Sequence, residues 1–145
     1  MFHYNYSDSP KFSVSGISTS STIAKIGSRL FTNRGYAIVS MPDELVGSTL
    51  FQSGHYVNRA TITVSSTVDA YIMVALYEKR DGGLINVLSS EGWTLIDGNV
   101  KWTAMLNKIY IKHIAAGNSV TFTTTKNRMT FAIFAFQGTI FKEAL

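Results

Sequence analysis

The chain has no cysteine and only two prolines, Pro10 and Pro42, in 145 residues. The first absence removes disulfides, zinc–thiolate centres and cysteine nucleophiles together. The second, with no long polar tract, leaves no linker at which to divide the chain. Histidine is scarce: His3, His55 and His113 stand apart, and none falls in the His-x-His or His-Glu-x-x-His spacing of a metal centre. The nine carboxylates form no acidic calcium loop, no Gly-x-Ser-x-Gly elbow is present, and no glycine-rich phosphate loop follows a strand. The sequence therefore names no catalytic residue, no metal ligand and no cofactor, and reads as a protein that is not an enzyme. A hydrolase pairing two of Glu78, Asp81, Glu91 and Asp97 ranks last among the readings.

Two further absences concern location. Residues 1–30 lack a basic stretch followed by an apolar run, so no signal peptide is expected. Apolar runs such as "FAIFAF" are far too short for a transmembrane segment. The compartment stays open, with an extracellular, virion or cell-surface setting favoured.

What the chain does contain is apolar and hydroxyl-rich. It is 46% hydrophobic and 12% aromatic, enough for a core, and its 16 Ser and 15 Thr outnumber 22 charged residues. A surface built from hydroxyls suits half-buried pleated strands. The formal charge of +4 comes from Lys and Arg dispersed along the chain, with no basic cluster, so no specific nucleic-acid partner is implied.

A period of two dominates the pattern. "ATITVSS" sets Ile62 and Val64 against Thr61, Thr63 and Ser65, and "SVTFTTT" sets Val120 and Phe122 against Thr121 and Thr123. "NKIYIKHI" sets Ile109 and Ile111 against an outward stripe of Lys108, Tyr110 and Lys112, which favours an anionic partner. "AYIMVALYEK" and "MTFAIFAF" are apolar on both faces, as central strands covered on each side require. Further strands are expected at 11–17, 36–41, 49–53, 84–89, 93–96, 100–105 and 139–142. "MPDELVG" predicts one short helical turn near Pro42–Leu45, and no other helix is expected. About ten short strands make the chain all-β: a two-sheet antiparallel β-sandwich or jelly roll. Residues 1–22 read as a Ser/Thr-rich segment, flexible or an edge strand, and residues 23–145 as one sandwich domain.

Loops at the end of a sandwich are held by its sheets and commonly carry recognition. "SGHYVNR" offers His55, Tyr56, Asn58 and Arg59, and "EKRDGG" offers Arg80 and Asp81. An aromatic face meets the C–H side of a sugar ring while planar polar groups bond its hydroxyls, so these six residues are candidate ligand contacts. Both tryptophans lie in "SSEGWTLIDGNVKW", read as a hairpin with its turn at Asp97-Gly98 and both rings on apolar faces. Trp93, at a strand start, is retained as a seventh candidate.

The order "LFTNRGYAIVSMPDELVGSTLFQS", "AYIMVALYEKR", "EGWTLIDGNVKW" and "KIYIKHIAAGNSVTF" resembles accessory β-sandwich modules of secreted or surface proteins, often beside carbohydrate-active enzymes. The resemblance covers about two-thirds of the chain. Its matched positions are Gly, Pro, Trp and strand residues, so it implies a fold and carries over no binding residue. The leading expectation is a non-catalytic module that binds carbohydrate or a surface glycoconjugate through loops at one end. The alternative is a virion or appendage component, a trimeric fibre-tip or capsid-like jelly roll, in which "TFAIFAFQGTIF" covers an interface of a homo-oligomer.

Overall fold

The computed structural model describes residues 11–77, 82–102, 105–127 and 131–138. Its strands, in chain order, are β1 (Phe12–Ser15), β2 (Ser20–Ile23), β3 (Ile38–Ser40), β4 (Thr49–Gln52), β5 (Thr61–Ser66), β6 (Ala70–Leu76), β7 (Thr94–Trp102), β8 (Met105–Ile114), β9 (Ser119–Thr123) and β10 (Phe131–Gln137). A 3-10 turn covers Asp43–Leu45, immediately after Pro42, and α1 covers Gly82–Ser90. The expected strand at 139–142 lies outside the described residues. β2 runs across residues 22 and 23, so part of the Ser/Thr-rich segment is an edge strand of the larger sheet.

The strands form two antiparallel sheets, one ordered β1-β5-β9 and the other β2-β4-β10-β6-β8-β7-β3, which makes the fold an all-β sandwich. Alternation decides which side chains meet between them. In the smaller sheet Ile62, Val64, Val120 and Phe122 are buried, and the hydroxyls of Thr61 and Thr63 reach those of Thr123 and Thr121 at 3.1 and 2.9 Å on the outer face. In the larger sheet Phe131 pairs with Leu76 and Ile133 with Val74, so these four share a face. The Phe131 ring lies 5.7 Å from that of Phe122, which turns this face toward the smaller sheet.

The opposite face of the larger sheet is enclosed by the sheet itself. Six strand spacings separate β2 from β3, about 29 Å if the sheet were flat. Yet Gly27, four residues past β2, donates its N–H to Ile38 of β3, and Ile38 donates to Ser28. Four residues reach at most about 14 Å, so the sheet curls until its two edges nearly meet. Met73, Ile109, Ile111, Val100, Trp102 and Ile38 line this interior in register, with Leu30 and Leu45 buried alongside. Asn107 is fully buried there, its amide donating to the carbonyls of Val100 and Met105 at 3.0 Å each.

Three expectations are corrected. "GLINVLSS" is a helix, not a strand at 84–89, because Leu84 and Leu88 stand one helical turn apart and both are fully buried on one side. Asp97-Gly98 is not a hairpin tip: β7 continues through it, and a register shift between Ile96 and Asn99 marks a bulge there. The chain reverses instead between Trp102 and Met105, which pair across the ladder. The outward stripe on β8 fails at its centre, since Tyr110 is 6% exposed and opposes Val74 of β6.

Candidate functional site

The site forms where β4 runs out into residues 53–60. Ser53 bridges to Phe31 in parallel, and Thr32 donates its N–H to the Ser53 carbonyl, so the turn around residues 31–36 is laid beside the residues leaving β4. The Asn33 side-chain carbonyl then accepts the His55 N–H at 2.9 Å. These bonds assemble a ring cluster. His55, half-buried, sits edge-on to Phe31 at 4.7 Å, to Tyr56 at 4.9 Å and to Tyr36 at 5.8 Å.

The cluster is graded from core to solvent. Phe31 is buried, Tyr36 is partly exposed, and Tyr56 is 62% exposed, the most exposed large apolar side chain among the described residues. Arg34, held by donation from Nη1 to the Asn33 carbonyl, places Cζ 5.2 Å from the Tyr56 ring centroid. A guanidinium over an aromatic face at this range is attracted by the ring quadrupole.

Beyond Tyr56 the segment turns down to β5 and is pinned on its far side. Arg59 donates its N–H to the Asn127 side chain at 3.1 Å, and Ala60 donates to the Thr124 hydroxyl at 2.9 Å. On the near side, Gly16 at the end of β1 comes so close to Thr61 that a Cβ would fall 2.0 Å from the Thr61 carbonyl oxygen. Between these walls lies an open groove of about 490 Å³, lined by Gly16, Ile17, Tyr56, Asn58, Arg59 and Asn127, among others. That volume is in the range of small-ligand sites. Two other hollows, near the β8–β9 turn, present no exposed tyrosine or tryptophan.

Of the expected contacts, Tyr56, Asn58 and Arg59 thus come together on one groove, and His55 supports Tyr56 from behind. Arg80 and Asp81 lie outside the described residues. Trp93 is 5% exposed and packs edge-on to Phe122 at 5.8 Å, so its ring belongs to the core between the sheets. Trp102, 1% exposed, fills the other core, within the curled sheet. The two tryptophans therefore serve opposite sides of one sheet. Lys112 of the expected cationic stripe donates to the Glu91 carbonyl at 2.6 Å, just past the end of α1, where a cation is favoured.

Sequence reasoning missed Asn33, Arg34, Tyr36 and Asn127. "TNRGY" carries the turn residues and an aromatic that could have marked it as a recognition loop. No group of three or more potential metal ligands occurs among the described residues, and no helix among them is long and apolar enough to cross a membrane.

No protein-family model and no curated protein matches the sequence. Among solved structures, a beta-glucuronidase from glycoside hydrolase family 2 matches over 92% of this chain with a TM-score of 0.59 and 11% identity. The chain spans 14% of that protein's length. At this identity the likeness is one of fold: part of that enzyme is built on the same sandwich plan.

Proposed function

We propose that this sandwich is a non-catalytic module that binds carbohydrate in the groove beside Tyr56. The observation that carries the reading is the meeting of an exposed, braced aromatic ring with three planar polar side chains, Asn58, Arg59 and Asn127, along one groove. A sugar ring has an apolar C–H face and a polar rim. Tyr56 suits the face, while amide and guanidinium groups suit hydroxyls that need both donors and acceptors. The sandwich plan shared with part of a sugar-processing enzyme supports the same direction.

The preorganisation matters as much as the residue types. Asn127 fixes the Arg59 backbone and Asn33 fixes that of His55, so little loop ordering remains to oppose binding. Titration calorimetry against oligosaccharide panels, paired with the Tyr56→Ala variant, tests the reading. Binding should be present in the parent and lost in the variant, both remaining folded. Absence of binding to any oligosaccharide at millimolar concentration by the folded parent would remove it.

The fibre-tip alternative draws on "TFAIFAFQGTIF" as an interface, of which residues 131–138 are described. In the structure β10 is central, paired with β4 on one side and β6 on the other, and Phe131–Phe136 are buried within a single chain. The described part of that stretch therefore gives the alternative no support, and residues 130 and 139–141 lie outside the described residues.

A further inference from the structure

We propose that the groove selects acidic saccharides, those bearing carboxylate or sulfate, over neutral ones; this rests on the carbohydrate reading above. The groove is lined by residues 16–18, 56–60 and 127, and its aromatic rim is built by Phe31, Arg34, Tyr36 and His55. These positions include Arg34 and Arg59 and not one Asp or Glu. The carboxylates among the described residues, Asp43, Glu44, Asp69, Glu91 and Asp97, all belong to other stretches.

Asp69 is moreover at the opposite end of the smaller sheet. It lies three residues past the end of β5, whereas Arg59 lies two before its start, and its carboxylate accepts the Ala116 N–H in the β8–β9 turn. A six-residue strand separates the two ends by about 20 Å, two Debye lengths at ordinary salt. Among the described residues, then, no carboxylate pairs with Arg34 or Arg59.

Their placement is as informative as their sign. Arg59 lines the groove, and Arg34 lies over Tyr56 at its rim. A saccharide stacked on the exposed Tyr56 ring thus has guanidinium groups within reach of its substituents. Guanidinium matches carboxylate and sulfate oxygens with paired N–H donors, which an ammonium cannot do with the same geometry. The anionic preference that the sequence suggested for the β8 stripe is relocated to this groove.

The test compares three probes of equal length by calorimetry: a uronic-acid oligosaccharide, its carboxyl-reduced neutral counterpart, and a sulfated oligosaccharide. At least one acidic probe should bind about tenfold more tightly than the neutral one, the worth of one charge-assisted hydrogen bond. The ratio between the acidic probes tells carboxylate from sulfate. The advantage should shrink as salt rises from about 0.1 M to about 1 M, which cuts the screening length from about 10 Å to about 3 Å. Arg59→Gln should erase most of it, and Arg59→Lys should restore it only in part. Circular dichroism confirms folding of each variant.

Equal binding of neutral and acidic probes overturns the charge inference while leaving the carbohydrate reading standing. No binding by any probe overturns both. Equal or tighter binding of a single-stranded oligonucleotide of matched charge makes the groove a general polyanion site and overturns the selectivity for saccharides.

Discussion

Arg34 and Tyr56 form a stacked pair across two loops, with the guanidinium carbon 5.2 Å from the ring centroid. The pair links the 31–36 turn to the segment after β4 and sets the most exposed aromatic ring of the described residues at the mouth of a groove. A double-mutant cycle with Arg34→Met and Tyr56→Leu, read by urea denaturation, should return a coupling of about 0.5–1 kcal/mol, the exposed-site value for such contacts. A coupling near zero would mean that the two side chains do not hold each other in solution.

Tyr56 and Trp102 should respond oppositely to truncation. Tyr56→Ala, at a 62% exposed ring, should change stability by less than about 1 kcal/mol while abolishing ligand binding. Trp102→Ala, at a 1% exposed ring inside the curled sheet, should cost about 3–5 kcal/mol. Denaturant titration of both variants checks the pair, and a mild Trp102→Ala would contradict the enclosed core.

How much of this was legible beforehand depends on range. Ile62, Val64, Val120 and Phe122 were readable because alternation is local, and the doubly apolar runs of β6 and β10 were readable because burial on both faces leaves no polar positions. The bulge at Asp97-Gly98 was not, since a bulge and a tight hairpin both use a glycine with positive φ, here 102°. Helix α1 was missed because two opening glycines, β-branched Ile85 and Val87, and two closing serines leave only Leu84 and Leu88 as strong helix formers. What fixes it is the burial of Leu84 and Leu88, a tertiary fact. Within the site, "SGHYVNR" announced itself by residue type. Asn33 and Arg34 did not, because their approach depends on a bridge between Phe31 and Ser53, 22 positions apart in the chain.

The helix supplies its own check. Leu88→Ala should cost about 2–5 kcal/mol, as a fully buried leucine does, whereas Asn86→Ala on the exposed side should be near neutral. Were 84–89 a strand, the two positions would lie on the same face and respond alike, which thermal melts of the two variants would reveal.

Two glycines with nearly the same backbone separate strain from collision. Gly16 and Gly27 have φ of 95° and 92°, but a Cβ on Gly27 meets nothing within 4 Å, while one on Gly16 strikes the Thr61 carbonyl. Gly27→Ala should therefore show only the conformational penalty, about 1 kcal/mol. Gly16→Ala should exceed it clearly and loosen β1 from β5, an effect measurable as faster amide exchange in β5. Equal losses would mean that β1 shifts away without cost.

The curling of the larger sheet also bears on how this chain behaves in concentrated solution. Phe131–Phe136, uncharged and without proline, has the composition of segments that stack into cross-β fibrils when exposed. Here β4 and β6 occupy both of its hydrogen-bonding edges, and the bonds between Gly27, Ser28 and Ile38 fasten the outer strands of the same sheet together. Folding thus removes from contact the stretch most able to seed self-association, and the seam near Ile38 serves as a guard against aggregation as well as a closure of the core.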